Sequence, residues 1–140
     1  MAKISVIPTN SGTIKECQLE LNSKLWISAN EETVYCKGTA SLLRFIDQTG
    51  SIRSASVAMN ISYAKAVTIL RMTEKQLDCK ILFTKRGGKN GGKNGGGSSI
   101  LTKAGRDLMM RYDLFCKEAN DLIQESFNKH FDGVFLGEEE

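Results

Sequence analysis

Two blocks of apolar residues in the middle of the chain recur at helical steps, and a serine stands before each. The stretch is SIRSASVAMNISYAKAVTILRMTEKQL, residues 51 to 77. Ser51 and Ser62 occupy N-cap positions, where a hydroxyl accepts a bond from a free N–H of the first turn. Asn60 separates the two blocks, because asparagine enters the left-handed region cheaply, and Ile61 then turns inward. Ala55 and Ser56 are small enough for the second helix to cross the first closely. The pattern predicts a helix-turn-helix, with an ordinary helical hairpin as the plainer alternative. In the second helix Tyr63, Ala66, Val67, Leu70 and Leu77 define a buried stripe. Ala64, Lys65, Thr68, Ile69, Met72 and Lys75 are left outward, a short-chained basic face suited to the major groove. For Tyr63 a second reading stands, in which its hydroxyl meets a phosphate.

On either side the periodicity changes. Residues 17 to 36 alternate as extended chain, with Asn30, Glu31 and Glu32 as a hairpin turn, and predict a small antiparallel sheet. Trp26 reads as core, the alternative being a stacking platform for a base. Gly38 breaks the strand and Thr39 starts a helix to about Gln48, whose Leu42, Leu43, Phe45 and Ile46 cover the corner that follows. Ile81 to Thr84 and Ser99 to Thr102 are short apolar strands flanking a tip, Lys85 to Gly97. From Lys103 to about Lys129, with Thr102 as its cap, a long helix carries Leu108, Tyr112, Phe115, Ala119 and Leu122 at alternating steps of four and three. Met109, Cys116 and Ile123 recur on the adjoining flank. So wide a stripe predicts that half packs inward and half meets a second copy in a homodimer, placing two recognition helices about one DNA turn, roughly 34 Å, apart. A long helix packed wholly on its own domain is the plainer alternative.

Composition narrows the class. With 140 residues, 41% hydrophobic and 25% charged, the chain is one ordinary globular domain. It is organised as an N-terminal extension (1–16), a folded domain (17–131) and an acidic tail (132–140). No run reaches the length of a membrane span and the start lacks a secretory core, so a cytoplasmic protein is expected. Cys17, Cys36, Cys79 and Cys116 are widely spaced and His130 is the sole histidine, which reads as reduced structural thiols and no metal site.

The net charge of +3 conceals a strong asymmetry. Residues 1–59 hold six Lys/Arg and five Asp/Glu, residues 60–106 ten and two, and residues 107–140 three and nine. Basic charge collects on the second helix of the pair and the stretch after it, where a polyanion would be held. Within the tip a GGKN unit occurs twice, at Gly87 and Gly91. Gly87-x4-Gly92-Lys93 approaches a phosphate-binding Walker loop. It fails because Asn94 replaces the hydroxyl residue that would bind Mg²⁺ and glycines follow where a helix should begin. A wing remains, in which Lys85, Arg86, Lys89, Asn90, Lys93 and Asn94 meet the DNA backbone or minor groove, with a disordered linker as the plain alternative.

Residues Leu42 to Arg106 resemble the amino-terminal DNA-binding domain of the molybdate-responsive, ModE-like relatives of the LysR-type winged helices. The similarity is carried by Thr49-Gly50-Ser51-Ile52, Ile61-Ser62-Tyr63 with Ala66, the glycine-rich tip, and Leu101-Thr102-Lys103-Ala104-Gly105-Arg106. The tip is longer by one GGKN unit, and Val67 stands where a large aromatic is expected. The resemblance implies a dimeric, sequence-specific transcription regulator bound to double-stranded DNA. Nine residues after 131 leave no room for the family's oxyanion-binding domain, which puts molybdate as effector in doubt. The expected fold is therefore α+β, mainly α: a winged helix-turn-helix with a small N-terminal antiparallel β element, a Gly-rich wing hairpin and a long C-terminal dimerisation helix. Candidate DNA contacts are Ser62, Tyr63, Ala64, Lys65, Thr68, Ile69 and Met72, together with the tip. No cofactor and no enzyme are expected, since one histidine and scattered carboxylates make no catalytic set. The alternative is a winged-helix module that binds protein or RNA.

Overall fold

A computed structural model describes residues 19–85 and 97–131. The expected extension, most of the tip and the acidic tail lie outside the described residues. The architecture is α+β and mainly helical, with two two-stranded antiparallel sheets. The elements run β1 (Ile27–Ala29), β2 (Glu32–Tyr35), α1 (Lys37–Thr49), α2 (Ile52–Ala58), α3 (Tyr63–Leu77), β3 (Leu82–Lys85), β4 (Ser98–Leu101) and α4 (Lys103–Phe131). No described helix is long and apolar enough to cross a membrane. The described residues fall in two compact units, 24–114, and 19–23 with 115–131, and α4 supplies residues to both.

In the larger unit β1 and β2 join through Asn30 and Glu31, both at positive φ (52° and 67°), as a two-residue hairpin turn twisted with its strands requires. The extended stretch is shorter than the alternation from Cys17 suggests. Residues 19–26 form no ladder, and the Leu25 carbonyl accepts instead from the Tyr112 hydroxyl at 2.8 Å. Trp26 is not in the core but 60% exposed, because it precedes the first paired residue and no strand fixes its face. Helix α1 starts two residues earlier than expected, so Gly38 lies inside its first turn. It stops at Gly50, whose φ of 71° is the left-handed cap that glycine supplies, and the Gly50 N–H donates to the Ile46 carbonyl at 2.7 Å. Leu42, Leu43 and Ile46 are fully buried along it, each worth about 1.5–3 kcal/mol of transfer free energy.

Ile81 joins the remaining elements. Its side chain is buried; its N–H donates to the Glu74 carboxylate at 3.0 Å and its carbonyl accepts from the Thr102 N–H at 3.0 Å. Strands β3 and β4 continue from there, Leu82 opposite Leu101 and Lys85 opposite Ser98. The Ser99 N–H reaches the Gly50 carbonyl at 2.8 Å, fastening β4 to the α1–α2 junction. Thr102 caps α4, accepting from the Gly105 N–H at 3.0 Å while its hydroxyl donates to the Lys80 carbonyl at 2.6 Å.

Tyr112, expected at a dimer seam, is instead committed to this core. Only 5% exposed, it meets the fully buried Tyr35 edge-on with ring centroids 4.9 Å apart. The Tyr35 hydroxyl has no hydrogen-bond partner among the described residues, and burial, then the nearby Asp113 carboxylate, push its pKa far above the ordinary phenol value. In the smaller unit the Ser23 hydroxyl donates to Asn120 Oδ1 at 3.0 Å, and Phe127 stacks on Phe131 at 5.1 Å.

Gly105 shows how tightly α4 approaches Ile81: a Cβ there would lie 2.3 Å from the Ile81 carbonyl oxygen, a backbone atom that cannot swing aside. Gly105→Ala is therefore expected to cost about 1–3 kcal/mol, read as a lower denaturation midpoint at unchanged slope. A midpoint equal to that of the parent chain would show that the two backbones separate freely.

Candidate nucleic-acid interface

The α2–α3 corner is built by local bonds that its sequence dictates. The Ser51 hydroxyl accepts from the Ser54 N–H and the Ser62 hydroxyl from the Lys65 N–H, each at 3.1 Å. Between them Asn60 takes a φ of 56°, its N–H on the Val57 carbonyl, while the Ile61 N–H closes on the Ser56 carbonyl at 3.0 Å. Ala55 and Ser56 are buried where the helices cross, and the Ser56 hydroxyl is satisfied by the Arg53 carbonyl at 2.7 Å.

The buried stripe of α3 is narrower than its periodicity implies. Ala66, Leu70 and Thr73 are buried and Val67 is half-buried, whereas Tyr63 and Leu77 are 47% and 37% exposed. Tyr63 sits in the first turn, with the Arg53 guanidinium carbon 5.2 Å from its ring centroid. Leu77 is the last helical residue. Thr73 is drawn inward by a partner 39 positions away, its hydroxyl lying 3.2 Å from the Val34 carbonyl as well as 3.0 Å from the Ile69 carbonyl.

Outward, Ala64, Lys65, Thr68, Met72 and Lys75 are exposed together, as their spacing requires, while Ile69 is half-buried at the margin. Arg71 joins the same exposed face without being among the expected contacts, although it follows Ala64 by seven residues and Thr68 by three. Among the described residues, Lys65, Arg71 and Lys75 have no ion-pair partner. Thr68 donates its proton to the Ala64 carbonyl at 2.9 Å, so only its oxygen lone pairs and methyl face out. The Ser62 oxygen is occupied by capping.

Acid is kept off this face. No Asp or Glu occurs between Asp47 and Glu74. Asp47 pairs with Arg106 at 3.1 Å, and Glu74 is held by the Ile81 N–H with Lys80 at 3.7 Å. At the carboxyl end of α3, Arg71, Glu74, Lys75, Asp78, Cys79 and Lys80 line a shallow cleft of about 380 Å³ of mixed charge.

Of the tip's candidate contact residues, only Lys85 is described, exposed at the end of β3. Arg86, Lys89, Asn90, Lys93 and Asn94 lie outside the described residues. Directly before it, Phe83 and Ile100 face each other across the ladder, both about 60% exposed. On α4, Phe115 and Leu122 are exposed (51% and 67%), Leu108 and Ala119 are half-buried, and Met110 and Leu114 are also exposed. No three His, Cys, Asp or Glu side chains gather to hold a metal among the described residues.

No protein-family model matches the chain, and no curated protein matches it, so the functional reading rests on the geometry.

The first turn of α3 contains no acidic residue, which makes the Ser62 cap its main local support. Ser62→Ala is expected to cost about 1 kcal/mol of stability in denaturant titration. A loss below a few tenths would mean that packing alone holds the start of the helix.

Proposed function

We propose that this chain is a winged helix-turn-helix DNA-binding protein that acts as a homodimeric transcription regulator. The observation that carries the reading is the outward face of α3. It presents Lys65, Arg71 and Lys75 without counter-ions, Ala64 and Met72 between them, on a helix capped at a fixed corner. Phosphates supply the missing anions, and the groove accepts short side chains between cations. Arg71 and Lys65 are placed for guanine edges or phosphates, and Met72 for a thymine methyl. The β3–β4 hairpin serves as the wing, with the basic Gly-rich tip on the adjacent backbone or minor groove. The resemblance of residues 42–106 to the ModE-like domains supports the same assignment.

Selection from random duplex DNA is expected to enrich a defined motif, with affinity that falls steeply on raising salt. Lys89→Ala with Lys93→Ala should make that salt dependence shallower by about two phosphate contacts. Binding without any enriched motif would favour the second reading, a winged-helix module for protein or RNA partners. The exposed Phe83–Ile100 pair is the feature that speaks for it, because apolar side chains on a sheet face gain little from phosphates.

The second copy meets the exposed α4 residues Phe115 and Leu122, which a lone chain leaves in water. Sedimentation at micromolar concentration is expected to give a dimer, and Leu122→Glu a monomer of unchanged helicity. A monomeric parent chain would remove dimerisation from the proposal.

A further inference from the structure

We infer that Arg53 and Tyr63 form a phosphate clamp at the edge of the reading face, with the tyrosine ring holding the guanidinium in place for a DNA backbone phosphate. The clamp presupposes the DNA-binding reading above, and it adds a contact made by α2.

The Arg53 guanidinium lies over the Tyr63 ring, 5.2 Å from its centroid, and both side chains are exposed. Among the described residues no carboxylate pairs with Arg53. Nor is one near in sequence: the acid-free run from residue 48 to residue 73 contains Arg53, Lys65 and Arg71, and the carboxylates bounding it, Asp47 and Glu74, are already engaged. An unpaired guanidinium would ordinarily sample many rotamers. Contact with a ring restricts it beforehand, so less freedom is lost when an anion arrives. The guanidinium N–H groups, with no carboxylate partner among the described residues, are available to two oxygens of one phosphate.

Position argues for phosphate over base. Tyr63 lies in the first turn of α3, one turn before the buried Ala66 and half-buried Val67 and away from Thr68 and Lys75. In a helix lying in the major groove the outward face meets the bases, and a cation beside the first turn but off that face meets the sugar–phosphate backbone. Tyr63, which its spacing assigns to the buried stripe, is thus half-exposed and supports Arg53 with its ring.

The test uses the whole chain and a mixed-sequence duplex of about 30 base pairs, because a phosphate contact carries no sequence information. Arg53→Gln is expected to weaken binding several-fold and to lower the slope of log K against log salt by about one. Tyr63→Leu should give most of the same loss, and Tyr63→Phe, which keeps the platform, much less. Arg53→Lys, with charge but no planar fork, should fall between Arg53→Gln and the parent. Circular-dichroism melts identify any variant that is unfolded, and the exposed Arg53 is the position whose variants decide the outcome. A parent-like slope and affinity for Arg53→Gln overturns the clamp while leaving the DNA-binding reading intact. Altered base preference for Arg53→Gln in duplex selection overturns it too, by making Arg53 a base reader. A parent chain that binds no duplex overturns both.

Discussion

The backbone of Ile81 is the constraint on which the other elements depend. Its N–H is held by Glu74 of α3, its carbonyl by Thr102 ahead of α4, and its oxygen faces Gly105 at a distance that admits no side chain. Elements far apart in sequence are thereby set around one residue whose own side chain is fully buried. A hydrogen bond from a backbone N–H to a carboxylate contributes about 1.5–3 kcal/mol, more than the half-exposed pairs Arg44–Asp113 and Arg106–Asp47, whose median worth is about 0–1 kcal/mol. The fold is fixed by buried polar bonds and packing, with surface ion pairs as minor additions.

The same bond bears on the surface electrostatics. Glu74, the sole carboxylate of α3, lies off the outward face and is engaged by Ile81, while Lys65, Arg71 and Lys75 are without an ion-pair partner among the described residues. Like charges on one helix repel, so such a face lowers stability unless an anion is present. That cost is the physical reason to read the face as a binding surface. Arg53, lying over the Tyr63 ring and equally without a carboxylate among the described residues, extends the pattern to α2.

What could be read from the sequence was what short-range chemistry decides. Ser51, Ser62 and Thr102 as caps, Asn60 at the corner and the turn at Asn30 and Glu31 each depend on neighbours within a few positions, and each is in place. The departures are long-range. Thr73 is buried by a bond to Val34, Tyr112 by the Tyr35 ring and the Leu25 carbonyl, and neither partner is visible in local periodicity. Tyr63 and Leu77 fit the apolar stripe by spacing, yet stand at the helix ends, where the stripe runs past what covers it. Arg71 is the exception among them, since its spacing alone places it on the outward face. Trp26 is exposed because the ladder begins one residue later.

The decisive measurement is the footprint of a bound duplex on the chain, mapped by amide hydrogen exchange and side-chain NMR. Protection and shifts centred on Ser62 to Lys75 are predicted, with Lys65, Arg71 and Lys75 responding strongly and Glu74 little. A footprint centred on α4, or none at duplex concentrations that saturate binding, would contradict the assignment of α3 as the reading helix.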